Sequence, residues 1–172
     1  MHRTLQYAIL FIVMVILQIF LFSRIGISVY VHPLVCIAFI VLLPMEIAPL
    51  LLLTLGLLMG VTMDVFMGTA GINTIATLLI AFLRPTLAGM ICGRDNVREG
   101  GIPSSARLGE RKFITYLVAL TLVHHAVFFS LEALSWIHLP HTLLRIAVSS
   151  AVSVGFIWII ARIFTAKIPV RI

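Results

Sequence analysis

Acid is scarce in this chain. Its 172 residues hold six Asp and Glu against twelve Lys and Arg, and charged residues of all kinds make up only 10%. A water-soluble domain is about 25% charged, so the composition excludes an ordinary soluble globule. Cysteine is scarce too: Cys36 lies within an apolar run and Cys92 at the end of another. Without metal-ligand or C-x-x-C spacing, they give no disulfide framework, zinc site or redox motif, and both read as helix-packing residues. There is no H-E-x-x-H helix, and no serine nucleophile in a recognisable oxyanion loop. Aspartyl catalysis needs two carboxylates to divide the acid and base roles, yet Asp64 is the only Asp in any apolar run. These absences argue against an intramembrane enzyme and leave no catalytic residue, metal or cofactor to assign. Nor is there an internal repeat, a soluble domain or a Ser/Gly/Pro-rich linker, so a single integral membrane domain over residues 1–172 is expected.

What the chain has is apolar sequence: 62% of residues are hydrophobic and the mean hydropathy is +1.20. A bilayer core needs about 20 apolar residues per crossing helix. That length fits an all-α, polytopic membrane helix bundle with six transmembrane helices, at 5–23, 30–44, 48–67, 72–91, 113–134 and 142–163. The second is short, starting near Pro33 and ending at Pro44, and is the one to thin the bilayer or run partly re-entrant. The first resembles a signal peptide in its flanking positive charge. Its run of about 19 residues exceeds the 7 to 15 of a signal core, and no A-x-A site follows, so it is expected to remain as a membrane helix.

A net charge of +6 could point to nucleic acid, but the basic residues fall in short segments between and beyond the apolar runs, as topology-setting charges do. With the N-terminus inside, the inner side collects Arg3, Arg94, Arg98, Arg107, Arg111, Lys112, Arg162, Lys167 and Arg171, and the outer side only Arg24 and Arg145. This asymmetry places both termini in the cytoplasm. Residues 93–112, "GRDNVREGGIPSSARLGERK", form the one sizeable polar segment. Their Gly, Pro and Ser content predicts a flexible, basic cytoplasmic loop, solvated or in contact with membrane lipid headgroups or a cytosolic partner.

Within "GLLMGVTMDVFMGTAGIN", residues 56–73, an acid sits where the chain otherwise suits lipid. Gly56, Gly60, Asp64 and Gly68 recur every four residues, a row that drifts by only about 40° per step along one helix face. Asp64 therefore lies on a face open to close approach by another helix. It is about 17 residues, or about 25 Å, from the start of its helix near Ile47, so it belongs near the outer interface. The spacing suits structural anchoring or loop ordering, with direct contact to a partner or ligand as the alternative. Gly68 and Gly71 permit a tight turn, and Asn73 is placed to cap or brace the next helix and to hydrogen-bond with Asp64 across that turn.

The stretch "GLLMGVTMDVFMGTAGINTIATLLIAFLRP", followed by a basic loop and two more apolar runs, resembles the bacterial rod shape-determining protein MreD family. The matching positions are Gly56, Gly60, Asp64, Gly68, Gly71 and Asn73, with Arg84 and Pro85 beyond them. The resemblance implies a non-enzymatic subunit of the cell-wall elongation complex in the bacterial cytoplasmic (inner) membrane. It would maintain cell shape by assembling an MreC-like protein, the MreB cytoskeleton and peptidoglycan synthases. The alternative, from the six-helix appearance alone, is the small-molecule-binding membrane subunit of an energy-coupling-factor-type transporter. Those subunits often carry an Ala-xxx-Ala docking motif on the first helix, whereas Ala8 is the only alanine in this one.

Other polar residues fall within the runs. Arg84 either snorkels to the interface or faces the bundle and bonds carbonyls freed by Pro85. His124 and His125 point about 100° apart on a helix and cannot share a metal site. They read as bridging hydrogen-bond groups, and His138 and His141 as interfacial polarity. Ala147, Ala151 and Gly155, beside Ser149 and Ser153, suggest close helix packing. Glu132 and Arg145 flank the turn "SWIHLPH" at equal distances, so an antiparallel hairpin brings them level as an ion pair. Reversing either charge alone is expected to lower the yield of folded, monodisperse protein, and reversing both to restore it. A double reversal worse than either single change would refute the pairing.

Overall fold

The computed structural model describes residues 2–22, 32–133 and 139–166. Arg24, His138, Lys167 and Arg171 lie outside them. All regular structure among the described residues is helical, as expected where apolar surroundings oblige the backbone to satisfy its own polar groups. The elements are α1 (His2–Ile16), running on through a π-helical stretch Leu17–Phe22, α2 (Ala38–Leu42), α3 (Pro49–Met67), α4 (Ile72–Cys92), α5 (Arg94–Arg98), α6 (Ser105–Leu108), α7 (Glu110–Ala133) and α8 (Leu139–Ala166). Four of these, α3, α4, α7 and α8, are long and apolar enough to cross a membrane. Their outer faces carry exposed large side chains such as Leu50, Val65, Phe66, Phe82 and Met90, so this is a multi-pass membrane protein.

The first two expected crossings differ from that pattern. The apolar part of the first helix, Thr4–Phe20, is shorter than the other four. Over 30–44 no membrane-length helix forms among the described residues: α2 has five residues, about 7.5 Å of rise. Pro33 and Pro44 bound the segment, each disfavouring a continuous helix by removing a backbone donor, although that alone does not forbid one, since α4 continues through Pro85. The segment still runs through the interior. His32 N–H donates to Ser149 Oγ of α8 at 3.1 Å, and Met45 N–H donates to the Gly101 carbonyl at 2.9 Å. From Leu34 to Leu43 no residue is more than 2% exposed. This partly unwound segment is the centre of the core, packed by α1, α3, α4, α7 and α8.

The polar segment 93–112 is also more ordered than its composition suggests. It folds into α5 and α6. Asn96 Nδ2 donates to the Cys92 carbonyl at 2.7 Å and Arg107 donates to the Asn96 carbonyl at 2.9 Å. Gly101 N–H donates to the Glu46 carboxylate, tying the segment to the chain before α3.

On α3 the glycine row does face another helix, and that helix is its own successor. A Cβ placed on Gly60 would lie 2.5 Å from Thr74 Cα, and one on Gly56 would lie 2.8 Å from Ala81 Cβ, so the α3–α4 hairpin closes at backbone distance. The small-residue row of α8 behaves differently. Ala147, Ala151 and Gly155 are exposed, and the buried face instead presents Ile146, Ser149, Ser150, Ser153, Ile157 and Ala161. Gly60→Ala is therefore expected to lower stability by about 1–3 kcal/mol through overpacking. Gly155→Ala, whose added methyl meets nothing within 4 Å, should leave it unchanged or raised. Thermal unfolding of the two variants in detergent checks the contrast, and equal melting temperatures would refute it.

Candidate functional site

Helix α3 ends where Gly68 turns left-handed, at φ 67°, and α4 begins after Gly71, at φ 96°. Both glycines thus supply the positive φ that the tight turn needs. Residue 70 is an alanine at φ 48°, a left-handed conformation that costs an L-residue about 1–2 kcal/mol. The compensation comes from Asp64, which lies one turn before the end of α3 and reaches over the bend. Its Oδ1 accepts from Thr69 Oγ1 at 2.5 Å and from the Asn73 backbone N–H at 2.9 Å. Its Oδ2 accepts from the backbone N–H and the hydroxyl of Thr74. A carboxylate has about four acceptor positions, and all are in use.

Asp64 is therefore the N-terminal cap of α4, supplied from the preceding helix, since no side-chain cap comes from Gly71 itself. A negative charge against free N–H groups at a helix start is favourable on both hydrogen-bonding and dipole grounds. Asn73 meets Asp64 through its backbone N–H, whereas its side-chain amide donates to Thr69 Oγ1 at 2.7 Å. Thr69 thus relays between the two. Asn73 is fully buried, and its Oδ1 finds no donor among the described residues. The motif Gly56, Gly60, Asp64, Gly68, Gly71 and Asn73 is in this way brought together as one hairpin.

A second charged cap lies towards the other end of the bundle. Arg84, 2% exposed, faces inward. Its guanidinium donates to Tyr116 Oη at 2.8 Å, to the Pro44 carbonyl at 3.3 Å, to the Val41 carbonyl at 3.5 Å and to the Leu43 carbonyl. Tyr116 in turn donates to the Val41 carbonyl at 3.2 Å. The carbonyls it serves are those released where α2 ends, on a different segment from Pro85. A five-donor planar cation suits several convergent carbonyls better than any neutral side chain.

The start of the same segment has its own partners. Gln18 Nε2 donates to the Pro33 carbonyl at 3.1 Å, while its Oε1 accepts from Val35 and Cys36 N–H at 2.7 and 3.2 Å. His125 Nδ1 lies 2.9 Å from the Thr121 carbonyl, which sets the proton on Nδ1 and leaves Nε2 to accept from Leu34 N–H at 3.4 Å and Ser153 Oγ at 3.1 Å. His124 turns away, with Nε2 3.4 Å from Thr77 Oγ1. Composition gave no reason to single out Gln18, Tyr116, Thr69 or Thr74. A lone amide and a lone phenol on otherwise apolar faces were the available signals.

Glu132 and Arg145 do pair, at 2.7 Å, with Arg145 also 4.7 Å from the centre of the Phe129 ring. Their side chains are 39% and 30% exposed, so the pair sits on the rim, and the loss of folded protein expected from reversing either charge alone is correspondingly small. Among the described residues no three of His, Cys, Asp or Glu converge as metal ligands.

Removing the Arg84 guanidinium leaves buried carbonyls without donors, at about 1–3 kcal/mol each. Arg84→Met should therefore unfold at clearly lower temperature than the parent, with Arg84→Lys intermediate because a lysine reaches fewer carbonyls. A Met variant as stable as the parent would show that the cap contributes nothing. The chain matches no family model, no curated protein and no solved structure.

Proposed function

We propose that this chain is a non-enzymatic scaffold of the MreD type in a bacterial cytoplasmic membrane. It would hold an MreC-like protein, MreB and peptidoglycan synthases together in the cell-wall elongation complex through helix faces and short loops. The observation that carries the reading is the saturation of Asp64. The one acid of the MreD-like motif has both oxygens committed to four donors of its own chain. It therefore has no acceptor position left for a proton relay or a transported ligand. A framework role suits such a group, and it is the role a scaffold asks of it.

The expected placement of both termini on the cytoplasmic side is supported by two contacts. The Tyr7 and Phe164 rings lie 5.8 Å apart, setting the start of α1 beside the end of α8. Arg162 pairs with Glu110 at 3.1 Å, so that same end of α8 lies next to the basic segment before α7.

Affinity purification of the tagged full chain from its native membranes tests the proposal. An MreC-like coiled-coil protein should co-purify, and deletion of the chain should round the cells. Asp64→Leu should still insert while recovering several-fold less of that partner. Recovery of a transporter ATPase, or unchanged cell shape on deletion, would overturn the scaffold reading.

A further inference from the structure

Where α4 gives way to α5, a groove of about 610 Å³ opens on the side of the bundle. Its apolar wall is Pro85, Gly89, Met90 and Val97, with Thr86 alongside, and its mouth carries Arg94 and Arg98. Met90 is 77% exposed, so the groove is continuous with the face that α4 turns to lipid. Gly89 keeps it open, since a Cβ there would meet only the Arg94 stem, at 4.0 Å.

Among the described residues neither Arg94 nor Arg98 forms an ion pair. Glu99 pairs with Arg107, Glu110 with Arg162 and Glu132 with Arg145. Glu46 is taken by Gly101 N–H and Asp64 by the α4 cap. Asp95 does not line the groove. Arg94 and Arg98 are four residues apart on a helix, so both guanidiniums project to one side. Two exposed guanidiniums beside a lipid-facing apolar trough match a group with an anionic head and a hydrocarbon tail.

We propose that this groove is a binding site for an anionic phospholipid. Its phosphate lies between Arg94 and Arg98, and an acyl chain runs along Pro85, Gly89 and Met90. The site is separate from both capped segments and holds for a scaffold and for a transporter subunit alike.

Native mass spectrometry of the detergent-purified full chain, with equal amounts of phosphatidylglycerol and phosphatidylcholine, tests it. The parent should retain phosphatidylglycerol with about tenfold preference. R94Q/R98Q should bring the ratio near one, and R111Q, outside the groove, should leave it unchanged. G89L keeps both charges but fills the trough, and should lower retention of phosphatidylglycerol several-fold. An undiminished preference in R94Q/R98Q or full retention in G89L would overturn the proposal. Displacement of the lipid by millimolar inorganic phosphate would also overturn it, by showing a site for free anions.

Discussion

Backbone that leaves the helical state inside an apolar bundle must find every hydrogen-bond partner within the protein, and residues 32–44 impose that demand here. Polar groups buried without partners are costly, and unwound backbone at membrane depth persists only when enclosed by protein. The packing of α1, α4, α7 and α8 around this segment follows from the need to exclude lipid from it. So does the placement of otherwise unrelated side chains. Gln18, His125 and Ser149 serve its beginning, and Arg84, Tyr116 and Tyr7 its end. Of the eleven buried polar or charged residues among the described ones, four, Gln18, Arg84, His125 and Ser149, thus serve this one segment.

The partly exposed Asp64 of the hairpin and the buried Arg84 of the core solve the same problem with opposite signs. Asp64 meets free N–H groups at the start of α4, and Arg84 meets free carbonyls at the end of α2. The carboxylate of Asp64, though carried by the last turn of α3, meets the start of α4, the helix end whose dipole favours a negative charge. A charge in a membrane segment commonly marks transport or catalysis. Here both are consumed by structure, and that moves the search for function from the interior to the outer helix faces and the loops.

The long helices were legible in the sequence because hydrophobic length alone determines them, and 48–67, 72–91, 113–134 and 142–163 correspond closely to α3, α4, α7 and α8. The hairpin was legible as well, since Gly68 and Gly71 announce a turn and the spacing of Gly56, Gly60 and Asp64 announces a face. The segment 32–44 was harder: hydropathy records that a stretch is buried, and a buried coil is as apolar as a helix. Only Pro33 and Pro44 at its ends distinguish it. The same blindness hid Gln18 and Tyr116, whose roles depend on a backbone distant in sequence, and reversed the reading of Ala147, Ala151 and Gly155. Small residues on α8 report where close packing is possible, not where it occurs.

The segment 32–44 also constrains the order in which the molecule can be completed. Its carbonyl donor Arg84 lies 43 residues further along the chain from Val41, Tyr116 lies 75 beyond Val41, and His125 lies 91 beyond Leu34. During synthesis at about 5–20 residues per second, the segment waits several seconds before these groups are made. Until then its backbone remains in water, in the translocation channel or in a transient helix. The innermost layer of the bundle is therefore an early product of translation that takes its final form late, once α7 and α8 have arrived to close over it.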